Sequence, residues 1–226
     1  LMANTETTIN AVIHPQPNET PINIEKTIKA LERNKFVVHY FETGAEAVAY
    51  LKNRIQNKCV AIGDSRTLLE IGVHDALSEV NEDITDIQRP LPGESFRDTA
   101  LRTMGRDVFL TSVNALSQTG EMVNIDGTGN RVAASLFGSQ EVFFVLGVNK
   151  ITPDLASAIY RARNVAAPLN SKKNKKSSLN PCATLDEKCY DCGSPDRICN
   201  ALTIYYKKMR NMQTMEIIII NESLGF

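Results

Sequence analysis

The sequence predicts an α/β fold: a three-layer α/β/α arrangement with a mainly parallel sheet and one β-hairpin. Three observations carry this. Helical and strand patterns alternate along most of the chain, which calls for right-handed crossovers and helices on both faces of a sheet. The strongest strand candidates, residues 59–62, 108–113, 142–148 and 216–220, are short continuous apolar runs, the pattern of strands buried on both faces. Glycine-containing polar loops follow several of these runs, where open α/β sheets place their ligands.

Taken in order, residues 1–20 are rich in Thr and Asn, carry His14-Pro15 and show no periodicity, so they read as an N-terminal arm. The remainder, 21–226, reads as one domain. Ile24, Ile28 and Leu31 share a helical face ahead of a strand at 36–41. A second helix, 45–55, aligns Ala47, Val48, Leu51 and Ile55, and leads into the strand at 59–62. A helix through Leu68, Leu69, Ile71 and Leu77 follows, then a short strand at 84–87 and a helix at 96–104. Residues 122–125 and 132–136 read as the arms of a hairpin closed by Asp126, Gly127, Thr128, Gly129, Asn130 and Arg131, because Asp-Gly and a second Gly supply positive φ angles. Pro153 opens a helix with Leu155, Ile159 and Ala162 inward and Arg161 and Arg163 on other faces. Residues 167–180, with four lysines, read as a solvated linker. The four consecutive isoleucines at 217–220 bring the chain back into the sheet, so the cysteine-rich stretch at about 180–200 is an insertion.

A chain of 226 residues with 42% hydrophobic composition can bury a full core. Its net charge of −1 offers no argument for a nucleic-acid or membrane-surface partner. No apolar run approaches the ~20 residues that span a bilayer, and the N-terminus lacks a basic segment followed by an apolar one, so a cytoplasmic protein without membrane insertion is expected.

Two loops stand out as ligand-binding candidates. Gly63, Asp64, Ser65, Arg66 and Thr67 follow a buried strand and open a helix, where free N–H groups meet anions; Glu70 and Arg66 add charge that a helix cap alone does not need. Asp126, Gly127, Gly129, Asn130 and Arg131 combine a carboxylate, backbone access and a guanidinium fork suited to a small anionic or phosphorylated ligand. Lys150 closes the next strand, and Thr119 and Gly120 precede Glu121 at a strand start. Glu121 fits a nucleophile or general base or, more simply, an exposed edge carboxylate. The three histidines form no cluster and receive no role.

The sharpest chemical signal is Cys182, Cys189, Cys192 and Cys199, spaced Cys-x6-Cys-x2-Cys-x6-Cys. Such spacing can close a four-sulfur site for zinc or an iron–sulfur cluster. Lys188 and Arg197 nearby also favour thiolates, so redox thiols or disulfides are a second option, and merely packed cysteines a third. Cys59, in a strand, reads as a small core residue.

These residues together resemble the LUD family, named for lactate utilisation proteins. GDSRTLLEIG at 63–72, TGEMVNIDGTGNRVAA at 119–134, VLGVNKI at 145–151 and the closing Glu222-Ser223-Leu224-Gly225-Phe226 carry the resemblance, and the 180–200 block is similar to a cysteine-containing subgroup related to lactate utilisation protein C. The resemblance implies the fold shared with ribose-5-phosphate isomerase, glucosamine-6-phosphate deaminase and CoA transferases, with the two polar loops as walls of one pocket. It also implies a bacterial accessory role in oxidising lactate or a related organic acid beside an iron–sulfur protein partner. The competing functional expectations are an isomerase- or CoA-transferase-like enzyme, or a binding protein, for a phosphorylated or CoA-linked small molecule. A homodimer is compatible with the Val- and Ile-rich strands.

Overall fold

The computed structural model describes residues 20–173, 179–186 and 188–226; the expected arm at 1–20 therefore lies almost wholly outside the described residues. Six strands form a parallel sheet in the order β1-β10-β7-β4-β2-β3. They are β1 (Val37–Phe41), β2 (Cys59–Ile62), β3 (Asp83–Asp86), β4 (Val108–Thr111), β7 (Glu141–Gly147) and β10 (Thr214–Ile220). Each apolar run became a strand because its neighbours cover it from both sides. β7 sits between β4 and β10 and is buried along its whole length. Its side chains alternate: Val142, Phe144 and Leu146 enter one apolar layer, Phe143 and Val145 the other. Ile217 and Ile219 of β10 divide from Ile218 and Ile220 in the same way. At about 1.5–3 kcal/mol for each large side chain buried, these two central strands form the most strongly held part of the sheet.

One face is covered by α2 (Gly44–Arg54), α3 (Arg66–Glu70) and α4 (Val73–Ser78), through Ala47, Leu51, Leu68, Val73 and Leu77. The single helix expected after β2 is in fact two, interrupted at Gly72. α2 begins at a capping box, in which Thr43 Oγ1 accepts from Glu46 N (3.2 Å) and Glu46 Oε2 accepts from Thr43 N (3.1 Å). The other face is covered by α1 (Ile24–Arg33), α6 (Asn130–Leu136) and a second, four-stranded sheet ordered β8-β5-β6-β9. That sheet comprises β5 (Ala115–Ser117), β6 (Met122–Asp126), β8 (Ile151–Thr152) and β9 (Ala201–Tyr205). α5 (Phe96–Arg102) follows β3, while α7 (Leu155–Arg161), a π turn (Ala162–Ala166) and α8 (Ala167–Lys173) pack on the small sheet through Ala158, Ala162 and Ala167. A short α9 (Pro181–Thr184) opens the cysteine segment.

Three expectations are corrected. The hairpin exists, but it joins β5 to β6 through Thr119 and Gly120. Residues 132–136 belong to α6, because Asp126 supplies acceptors to the helix N-terminus and Val132-Ala133-Ala134-Ser135 turns helical once capped. The expected linker is partly helix: Ala167, Pro168 and Ser171 of α8 are buried, so periodic packing outweighs the local polar composition, while 174–178 lies outside the described residues. Arg161 points inward, not outward, because two main-chain carbonyls receive it there. Among the described residues no helix is long and apolar enough to cross a membrane.

Candidate functional site

The carboxyl ends of β2, β4 and β7 open into a cleft made of two adjoining cavities of about 200 and 160 Å³, which share Asp64, Asn114, Arg131 and Asn170 in their walls. The loop after β2 forms one wall. Ser65 Oγ caps α3 by accepting from Leu68 N at 3.3 Å, so the capping role coexists with a cleft position. Arg66 Nε reaches Glu70 at 2.8 Å, and Glu70 also accepts from Gly225 N at 2.7 Å. Burial works to raise the Glu70 pKa, but the Gly225 N–H and Arg66 outweigh it and hold the carboxyl below its ordinary value.

The loop after β6 forms the opposite wall. Asp126 is buried and accepts from Arg131 N (3.1 Å) and Val132 N (3.2 Å), satisfying the start of α6. Gly129 makes the turn possible, since it precedes α6 at φ +83°, a conformation that side chains resist. Arg131 is oriented by a bond from Nη2 to Ile125 O at 2.6 Å and lines both cavities.

Lys150 reaches the cleft from the 3₁₀ turn after β7. Gly147 permits that turn: a Cβ there would lie 2.3 Å from Glu222 O, so the closing segment of the chain could not pass over it. Lys150 is only 4% exposed, and its Nζ donates to Thr67 Oγ1 and Ser112 Oγ, each at 3.0 Å. Burial, then the positive charges of Arg161 and Arg131, pull its pKa down to about 7, against a weaker upward pull from Glu70. Arg161 is itself lowered to about 10 by burial; its Nε donates to Asn149 O at 3.1 Å and its Nη1 to Asn114 O.

The sequence matches the LUD domain over residues 24–220, most of the chain. The chain belongs to the LUD-domain family. A solved structure of a DUF162 family protein from Deinococcus radiodurans superposes with a TM-score of 0.51 at 13% identity, over 88% of this chain and 99% of that one. At that identity the likeness speaks for the fold. No curated protein matches the chain.

In this LUD domain the cleft unites Asp64, Ser65 and Arg66 with Asp126, Gly127, Asn130, Arg131 and Lys150. Thr67 stands behind the wall as a partner of Lys150, and Glu70 as a partner of Arg66 and Gly225. Gly63 lines a separate smaller cavity beside His74 and Asp86, which pair at 2.8 Å. Thr119 and Gly120 are not brought to the cleft. Their carbonyls meet Arg33 Nη2 and Asn34 Nδ2 at the end of α1, and Glu121 accepts from Thr119 Oγ1. Ser112, Asn114, Asn170 and Lys173 line the cleft without having stood out in the sequence. Only Ser112 and Asn114 had a usable signal, as the polar residues directly after a buried strand.

Cys182, Cys189, Cys192 and Cys199 do converge on one small cavity, together with Arg163 and Arg197, and Ile198 and Ala167 separate it from the cleft. Arg163 Nη2 lies 3.8 Å from Cys189 Sγ, and Arg197 Nη1 donates to Cys192 O at 2.7 Å. Burial raises the Cys199 thiol, and Arg197 partly counters it. The cysteines are free thiols. Among the described residues no three Cys, His, Asp or Glu side chains come together as a metal-ligand set.

Proposed function

We propose that this LUD-domain protein serves the utilisation of lactate or a related organic acid by holding a small organic anion in the cleft at the strand ends. The supporting observation is Arg131: a bond to Ile125 O and an ion pair with Asp126 at 3.9 Å orient its guanidinium, which lines both cavities where a carboxylate can meet it. Arg66 and Lys173 on the same cavity add positive charge, and the modest volume suits a small ligand. Calorimetric titration with lactate, pyruvate, inorganic phosphate and CoA tests this. We expect heat with the two organic acids and at least about tenfold weaker binding in Arg131→Ala, the scale of a charge-assisted contact. Binding of phosphate or CoA alone would instead favour an isomerase- or CoA-transferase-like activity. No heat with either acid would refute the proposal.

A second reading concerns the cysteine segment, favoured by four thiols lining one cavity beside two arginines. We read them as thiols able to form disulfides reversibly, which would couple the cleft wall at Ile198 to redox state. Metal content and the ultraviolet-visible spectrum of protein purified without oxygen, compared with Cys189→Ser and Cys192→Ser, test it. Stoichiometric iron or zinc lost in the variants would replace thiol exchange by metal binding.

A further inference from the structure

We propose that Lys150 is a covalent nucleophile whose amine condenses with the ketone of a small 2-oxo acid, the carboxylate of that acid resting on Arg131. This rests on the anion-binding reading of the cleft and goes beyond it by assigning a reaction. The first observation is the surroundings of the amine. Buried lysines are ordinarily paired with a carboxylate, yet among the described residues Lys150 makes no ion pair and bonds only to the hydroxyls of Thr67 and Ser112. The charged groups that act on it are the cations Arg161 and Arg131 and, more weakly, the carboxylate Glu70, which is engaged by Arg66 and Gly225. A desolvated amine beside other cations is the arrangement that activates lysine as a nucleophile.

Geometry supplies the second observation. A neutral amine that donates its two protons to Thr67 Oγ1 and Ser112 Oγ has one tetrahedral position left, its lone pair, and Lys150 lies in the wall of the same cavity as Arg131. Condensation then balances without any oxidant or metal. The nitrogen lone pair forms the C–N bond as the carbonyl π pair becomes a hydroxyl, taking up a proton. The carbinolamine next expels that oxygen as water, and the nitrogen pair forms the C=N bond. Both amine protons leave with the carbonyl oxygen as water, and Thr67 and Ser112, whose hydroxyl oxygens lie 3.5 Å apart, are placed to relay them.

Pyruvate with sodium cyanoborohydride is the probe, read by intact mass and peptide mapping. One reduced adduct per chain is expected on the peptide carrying Lys150, forming faster as pH rises through about 7, where the amine loses its proton. Lactate, which has the carboxylate but no ketone, should suppress the adduct in competition. Lys150→Met should abolish it; Ser112→Ala, which keeps the amine, should slow it several-fold. Because mapping of the unsubstituted protein locates the adduct, a variant that fails to fold does not leave the question open. Pyruvate heat that depends on Arg131, with no adduct at Lys150 or with even labelling of surface lysines, overturns the imine and leaves the anion site standing. Absence of any pyruvate heat removes both.

Discussion

The two ends of the parallel sheet treat buried charge in opposite ways. At the amino end, Glu141 of β7 and Glu216 of β10 are buried, and both meet Arg54 at the end of α2. Tyr50 donates to Glu216 at 2.7 Å, and Lys58 stands 3.6 Å from Glu141. Burial and Glu216 raise the Tyr50 pKa, and the two carboxylates outweigh burial to raise Arg54. At the carboxyl end, Lys150 is equally buried, but among the described residues it bonds to neutral hydroxyls and makes no ion pair, with Arg161 and Arg131 acting on it more strongly than Glu70. One end is electrostatically closed and the other poised. Removing a partner from the first arrangement strands a buried charge, whereas the second favours reactivity.

The largest effect expected from breaking this contrast is at the closed end. Arg54→Met should leave two buried carboxylates short of a partner and lower stability by about 3 kcal/mol, the low end for such losses because the guanidinium is partly exposed and Lys58 remains. Urea unfolding measures it, and adding Glu141→Gln should restore part of the loss. A change below about 1 kcal/mol would show that the closed end is not held by charge.

Next comes the poised end, with the opposite sign. The folded-state pKa of Lys150 lies near 7, below its ordinary value of 10.5, so the unfolded chain binds the extra proton between these values. Stability should therefore rise with pH across that window and be lowest below 7, where folding must bury a charged amine. Lys150→Met removes this dependence. The variant should be more stable than the unsubstituted protein at pH 6, on the order of 1–4 kcal/mol, with the advantage shrinking towards pH 10. Parallel melting curves at several pH values would refute it.

Asp126→Ala should cost about 1–2 kcal/mol by leaving Arg131 N and Val132 N without their acceptor, and should also loosen Arg131. Thermal melting and lactate titration together separate the two consequences. The smallest change in stability belongs to Arg66→Ala, within about 0.5 kcal/mol, since its pair with Glu70 is solvated and within one helix. Its anion affinity should nevertheless fall, which sharpens the difference between cleft and scaffold.

Of the two loops singled out in the sequence, Asp64 to Arg66 and most of 126–131 line the cleft, because both loops follow buried strands. The conformation of the second wall was not legible. An Asp-Gly turn fits a hairpin as well as a strand-to-helix turn, and only the capping contacts of Asp126 separate them. Thr119 and Gly120 carried the same polar, glycine-rich signature, yet a hairpin packed on α1 takes them away from the site. Arg161 looked solvent-facing because helical phase ignores acceptors such as Asn114 O and Asn149 O, which arrive from distant loops.

By itself the sequence determined the layered α/β architecture and the central β7 and β10 strands, which follow from local periodicity and from apolar runs that have to be buried, and its motifs at 63–72, 119–134 and 145–151 carried the resemblance to the family. Tertiary structure alone decided that Lys150 would lie beside Thr67, Ser112, Arg131 and Arg161. Those five residues come from separate loops and helices, and their effect on one amine depends on distance and desolvation, which arise only when the strands are brought side by side.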